Sequence, residues 1–322
     1  MTQVTYQGHS TSSVAAPVAA VAVQHLVKRY GPRTVLDNVS FTIQHGELFA
    51  LLGPNGAGKT TTIEILEGYR HPDAGLVSVL GLQPHRQGSI LKQRIGVVLQ
   101  QGGIYPQATA REVLHLFASF YHDPADPDAL LDQVGLSGVA KVRYRRLSGG
   151  QQRRLALAVA LIGNPELVFL DEPTSGMDPQ GRQLTWKVLE DLRQRGVTIL
   201  LTTHYMEEAE QLADRIAIID RGHLVALGTA RDLLQQTKGV TTLRVRLSQA
   251  IDTEQLQRLP GLQFVCQESL TSYRLDVVEP AMTIARLTAW LCAHNVVLEE
   301  LHTGTMNLEE LFLHLTGKEL RE

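Results

Sequence analysis

A run of glycines, one lysine and two neighbouring carboxylates stand in this sequence where they could handle phosphate. Residues Gly53-Pro54-Asn55-Gly56-Ala57-Gly58-Lys59-Thr60 fit the spacing G-x-x-x-x-G-K-[ST], after the apolar run Leu48 to Leu52 and before a helical stretch from Lys59. Glycines in such a loop let successive N–H groups turn inward on phosphate oxygens, and the following helix adds the positive end of its dipole. Lys59 would neutralise the β and γ phosphates of a nucleotide. The Thr60 hydroxyl would ligate Mg²⁺, with Thr61 alongside. A glycine-rich turn carrying a chance lysine is the alternative, and the strand–turn–helix context argues against it.

Leu167-Val168-Phe169-Leu170-Asp171-Glu172 reads as an apolar strand ending in two acids. Side chains alternate along a strand, so the two acids can serve different roles. Asp171 would hold the Mg²⁺ shell. Glu172 would orient and deprotonate an attacking water, a contribution of about 10²–10⁴-fold in general-base catalysis. A solvated acidic strand end is the plainer alternative. Leu147-Ser148-Gly149-Gly150-Gln151 opens a helix, with Ser148 as N-cap and the two glycines leaving backbone N–H groups bare, which makes a second anion site.

The elements that position these residues follow from apolar periodicity. Short β-rich runs, Val21 to Val27 and Val39 to Ile43, precede the strand Leu48 to Leu52. The strands Leu167 to Leu170 and Val197 to Leu201 flank a polar-faced helix from about Gln180 to Arg195, a βαβ pattern that implies a parallel sheet. Between Ala108 and Asn164 helical periodicity replaces the strands, as in a helical insertion. A hairpin turn at Asp220-Arg221-Gly222 and a short helix, Thr229 to Gln236, end this core. Beyond Gly239 the order is strand (Thr242 to Leu247), helix (Asp252 to Leu259), strand (Leu262 to Gln267), strand (Tyr273 to Val278), helix (Pro280 to His294), strand (Val296 to Leu301). That βαββαβ order is ferredoxin-like. A last amphipathic helix, Asn307 to Leu315, needs a surface to cover Leu308, Leu311, Phe312 and Leu315.

The chain has 322 residues, and 30 Lys and Arg against 33 Asp and Glu give a net charge of -3, so no global basic field holds nucleic acid. No apolar run approaches the roughly 20 residues of a membrane span. The Ala- and Val-rich segment Val14 to Val23 lacks a preceding Lys or Arg and contains Pro17, which argues against a signal peptide. Residues 1–18 read as a disordered tail. Cys266 and Cys292 lack metal-ligand spacing and are expected to be buried structural thiols.

With an intact Leu-Ser-Gly-Gly-Gln run in the helical insertion as well as the phosphate loop, the sequence resembles the ATP-binding cassette (ABC) family from Val21 to about Gln236. The resemblance implies a P-loop NTPase α/β core with an antiparallel β subdomain and a helical subdomain (about 106–164) within residues 19–236. A small C-terminal α+β, ferredoxin-like domain would occupy 240–322. It implies that two cassettes pack head to tail, with Ser148, Gly149 and Gly150 of one covering the γ-phosphate held by the other. Tyr30 resembles the aromatic that stacks on adenine; an ordinary strand tyrosine is the alternative. Gln100 resembles the glutamine that touches Mg²⁺ and water, with Gln101 next door as the alternative. Ser175-Gly176-Met177-Asp178 resembles the loop that crosses the dimer interface, placing Asp178 near nucleotide. His204 resembles the histidine that contacts the γ-phosphate.

The ending Met306 to Gly317 resembles ATPase subunits of type-2, daunorubicin-resistance-like exporters, although packing alone would produce a similar helix. The resemblance thus implies an ATPase taking ATP and Mg²⁺ that drives a separate integral-membrane permease as a homo- or heterodimer, peripheral at the cytoplasmic face of the membrane. An ABC-fold ATPase acting on nucleic acid or the ribosome is the competing class. The twin cassettes, long arms or zinc inserts of such proteins are not seen here, and the charge balance also weighs against a nucleic-acid partner.

Overall fold

The computed structural model describes residues 19–98, 104–236, 241–305 and 308–316. The expected N-terminal tail and Gln100, with its neighbour Gln101, lie outside the described residues. In the first half β1 (Val21–Tyr30), β2 (Arg33–Ile43), β3 (Leu48–Leu52), α1 (Lys59–Leu66), β4 (Ala74–Val79), α2 (Gly88–Leu91) and β5 (Ile95–Val98) lead into the helical segment. That segment holds α3 (Ala110–Ala118), α4 (Pro127–Gln133) and α5 (Gly149–Leu161). The chain then returns through β6 (Leu167–Asp171), α6 (Pro179–Gln194), β7 (Thr198–Thr203), α7 (Met206–Leu212), β8 (Arg215–Asp220), β9 (His223–Gly228) and α8 (Ala230–Gln236).

The central sheet has the order β5-β6-β7-β3-β8-β9, parallel except for the β8–β9 hairpin. Every residue of β3 and β6 is buried, as expected of strands covered on both faces. This stacks the carboxyl ends of β3, β6 and β7 side by side, the edge where open α/β sheets bind ligands. A second, antiparallel sheet has the order β2-β1-β4. Its strands run longer than their apolar stretches: β1 continues to Tyr30 and β2 begins at Arg33. Cross-strand pairing with irregular register extends both through polar residues, and His25 and Asn38 absorb the irregularity at positive φ.

The helical segment starts and stops where local chemistry dictates. Thr109 caps α3 reciprocally with Glu112, Asp126 caps α4 ahead of Pro127, and Ser148 caps α5 with Gln151. Their inner faces, including Val113, Leu114, Leu130, Leu131, Leu155 and Leu161, form one continuous core with β6, β7 and α6. Insertion and sheet therefore share packing, and a push on one reaches the other.

The C-terminal part comprises β10 (Thr241–Leu247), α9 (Thr253–Gln257), β11 (Leu262–Gln267), β12 (Ser272–Val277), α10 (Pro280–Ala293), β13 (Leu298–Thr305) and α11 (Leu308–Thr316). Its sheet order, β11-β12-β10-β13, with antiparallel neighbours throughout, is the ferredoxin-like arrangement. It buries its own core of Leu243, Val245, Tyr273, Leu275, Leu287 and Leu291. Helix α11 belongs elsewhere: Leu308, Leu311 and Phe312 pack on Ala50 and Leu52 of β3, Ile216 and Ile218 of β8, and Leu233 of α8. The surface its apolar stripe requires is the cassette itself. The expectation of buried thiols is corrected, since Cys266 is half-buried and Cys292 exposed. Helix α10 turns Thr283, Leu287 and Leu291 inward, which leaves position 292 on its outer side.

Candidate nucleotide site

The loop from Gly53 to Gly58 is folded by close approach. A Cβ on Gly53 would stand 2.3 Å from the Ile219 carbonyl oxygen, and one on Gly58, at φ +110°, 2.6 Å from Leu36. Only glycine fits either place. Gly58 also begins α1 without a side-chain cap, so the amides of the first turn remain available to an anion. A cleft of about 430 Å³ opens above the loop, lined by Tyr30, Asn55, Gly56, Gly58, Lys59, Thr60, Thr61 and Glu172. Pro54 and Ala57 complete the loop, joined by the Ala57 N–H donating to the Pro54 carbonyl at 3.2 Å. A larger surface cavity, lined by His45, Glu190, Arg193 and Asp214, lies at the opposite, amino ends of β3, β7 and β8 and holds none of these residues.

Lys59 is buried, and its ammonium donates to the carbonyls of Gly53 at 2.8 Å and Pro54 at 3.3 Å. It also stands 3.5 Å from Glu172 Oε1. Burial pushes its pKa down, opposed by Glu172 and then Asp171. Glu172 is held below the usual carboxylate range, first by the His204 ring beside it and also by the Lys59 charge, against the effect of burial. His204 Nδ1 lies 3.3 Å from Glu172 Oε2. Glu172 sits just past β6 with φ +49°, a left-handed conformation costly for a residue with a Cβ. The Thr202 hydroxyl and carbonyl both accept its N–H at 3.1 Å, and Arg153 Nη1 donates to its carbonyl at 2.9 Å.

Thr60 Oγ1 donates to Asp171 Oδ2 at 3.0 Å, and Thr202 Oγ1 donates to Asp171 Oδ1 at 2.5 Å. A hydroxyl and a carboxylate so close offer hard oxygen donors of the kind Mg²⁺ takes alongside phosphate and water. Tyr30 lies at the cleft mouth, partly exposed, with Lys28 and Arg70 each 5.4 Å from its ring centre. The structure thus brings Lys59, Thr60, Asp171, Glu172 and His204 together, with Tyr30 at the rim.

Ser148, Gly149 and Gly150 stand apart, at the start of α5 in the helical segment. Ser148 Oγ accepts the Gln151 N–H at 3.3 Å, and space is open beside Gly149. Asp178 begins α6 without closing a cap hydrogen bond with its side chain. Three supporting residues were not singled out from the sequence: Thr202, Arg153 and Glu208. Thr202 had a signal, the Thr-Thr-His run that ends β7. Arg153 and Glu208 had none, since their roles depend on contacts across 19 and 34 residues of chain.

A phosphate loop between a buried strand and a helix, on a parallel sheet ending in paired acids, defines a P-loop ATPase. Comparison with known proteins narrows the class. The ABC transporter family model matches residues 36–175. "Nod factor export ATP-binding protein I" of Burkholderia lata is 39% identical over 95% of this chain and 100% of its own. "Linearmycin resistance ATP-binding protein LnrL" of Bacillus subtilis is 38% identical over 93% and 99%. Among solved structures, an ATP-binding subunit of an ABC transporter is 28% identical, covers 67% of this chain and 92% of its own, and has a TM-score of 0.62. A bacterial ABC transporter cassette in a post-hydrolysis dimer with ADP and Pi is 28% identical over 65% and 98%, with a TM-score of 0.59. The chain belongs to the ABC transporter family, as an ATP-binding and ATP-hydrolysing subunit.

Proposed function

We propose that this protein powers export through a separate membrane subunit, that it works as a dimer of cassettes, and that the residues gathered above perform its ATP hydrolysis. The observation that carries the catalytic reading is the row Lys59–Glu172–His204, 3.5 and 3.3 Å apart at the ends of β3, β6 and β7. Lys59 donates to the loop carbonyls of Gly53 and Pro54 and stands beside Glu172. An arriving β,γ-phosphate draws the ammonium to itself and removes one of the influences that hold Glu172 down, the His204 ring being the larger. Glu172 is then free to take a proton from water, while its backbone stays fixed by Thr202 and Arg153. His204, next to Glu172, is placed to meet the γ-phosphate.

Thr60 and Asp171 would hold Mg²⁺, which supplies charge neutralisation to the phosphates. Gln100 is assigned to the same shell by resemblance alone. Tyr30 would stack on adenine, after displacing or sharing its neighbours Lys28 and Arg70. The loop amides of Gly53 to Thr61 would bind phosphate.

Ser148, Gly149 and Gly150 would close on nucleotide held by a second cassette, with Asp178 at the junction. The open space at Gly149, at the start of α5, supports that reading. Among the described residues no helix is long and apolar enough to cross a membrane, and the membrane-spanning part is assigned here to a separate subunit. Export is supported by the relatives' names, Nod factor export and linearmycin resistance. Attachment to the permease would place the chain at the cytoplasmic face of the membrane, and residues 240–322 would stabilise that assembly.

The test compares Lys59→Ala with Ser148→Ala. The first loses ATP affinity as a monomer. The second binds ATP as the parent does, yet fails to dimerise in sedimentation with ATP and Mg²⁺ and fails to hydrolyse. Equal loss of monomer affinity in both would place Ser148 in its own chain's site and end the two-cassette reading.

A further inference from the structure

Glu208 lies in α7, four residues beyond His204, and its side chain is fully buried. Burying a carboxyl is costly, and here it forces the pKa upward. The side chain joins three parts of the structure. Its Oε1 accepts from Thr174 Oγ1 at 2.9 Å and from Trp186 Nε1 at 3.0 Å, and the nearby Thr203 hydroxyl also favours its charged form. Thr174 is itself buried, two residues after Glu172, and its carbonyl accepts the Met177 N–H at 3.1 Å. Trp186 projects from α6, the helix that Asp178 begins. One carboxyl oxygen therefore ties the loop leaving the base, the helix after that loop and the helix led by His204. The outer side is braced as well: His204 and Tyr205 rings lie 4.1 Å apart, with the Arg182 guanidinium of α6 over Tyr205 at 5.3 Å.

We propose that Glu208 is a positioning residue that clamps Thr174 to α7, so that the loop carrying Glu172 and the helix led by His204 shift as one body during turnover. The inference rests on the catalytic reading of Glu172 and His204 given above. Without the clamp, phosphate contacts made by Lys59 and the loop amides persist, so nucleotide still binds. What fails is the joint placement of base and γ-phosphate sensor, and a small misplacement at that point is expensive in rate.

The experiment measures steady-state ATPase activity and ATP affinity of the full-length protein. Thr174→Val removes the donor while keeping its shape, and kcat should fall about tenfold or more with KM for ATP within about threefold. Glu208→Ala should do the same. The double variant should be no worse than Glu208→Ala alone, because Thr174→Val removes a contact that Glu208→Ala already removes. Glu208→Gln keeps an acceptor oxygen for both donors and should stay within about threefold of the parent. Trp186→Phe, which loses the indole donor and leaves the Thr174 bond, should keep most of kcat.

Thr174→Val turning over at the parent's rate would overturn the proposal. So would Trp186→Phe reproducing the whole Glu208→Ala defect, since the carboxyl would then serve α6 packing alone. Failure of the underlying reading is separable: it would appear as retained turnover in Glu172→Gln, whatever the Glu208 variants do.

Discussion

Glu172 has two distinct burdens, a chemical one and a conformational one, and three substitutions separate them. Glu172→Gln removes the proton acceptor and keeps the size, so turnover should fall about 10²–10⁴-fold, about 3–5 kcal/mol in the barrier, with ATP binding retained. Glu172→Ala and Glu172→Gly both abolish the contacts to Lys59 and His204, so their difference isolates the backbone. At φ +49° a residue with a Cβ carries about 1–2 kcal/mol of strain that glycine does not. Glycine gives back about 0.5–1 kcal/mol through the greater freedom of its unfolded chain. The net advantage of Gly over Ala is therefore about 0–1.5 kcal/mol, a rise of up to about 2 °C in midpoint for a chain of this size. Differential scanning calorimetry of the two, without nucleotide, reads that difference, and a phosphate-release assay reads the first. An alanine variant melting above the glycine variant would refute the strain argument. A Glu172→Gln protein hydrolysing ATP within about threefold of the parent would refute the base.

Burial, then Asp171 and Glu64, push the Glu67 carboxyl up to about 8. Its folded value thus exceeds the unfolded one, so its contribution to stability is full below about pH 4.5 and is lost as pH rises through 8, with an upper limit of about 5 kcal/mol. Glu67→Gln should flatten the decline of stability between pH 5 and 8 in urea titrations, and an unchanged decline would refute this. Phe312→Ala should lower stability by about 3–5 kcal/mol, because the ring is buried against β3 and β8, while the folded fraction binds ATP as the parent does. For the same reason a chain ending at Gln236 should be less stable than the parent; one melting within about 2 °C of it would contradict the packing of α11 on the cassette.

Where chemistry is local, the sequence by itself was enough to read it. The Gly53-to-Thr60 loop, the apolar strand ending in Asp171 and the Ser148 cap all depend on neighbours within a few residues, and each adopts its expected form. The βαββαβ order beyond Gly239 was legible for a related reason, since alternation and helical spacing are short-range signals. Only the tertiary structure decided the rest. The approach of Lys59 to Glu172, and of Glu172 to His204, follows from the strand order β6-β7-β3, which no single segment encodes. The left-handed backbone of Glu172 is held by Thr202 and Arg153 from other elements. Helix α11 announced an apolar face but not its partner, because hydrophobic contact has no direction and any apolar surface would satisfy it. Glu208 gave no sign at all: a glutamate on a charged helix looks solvent-facing until Thr174 and Trp186 fold over it.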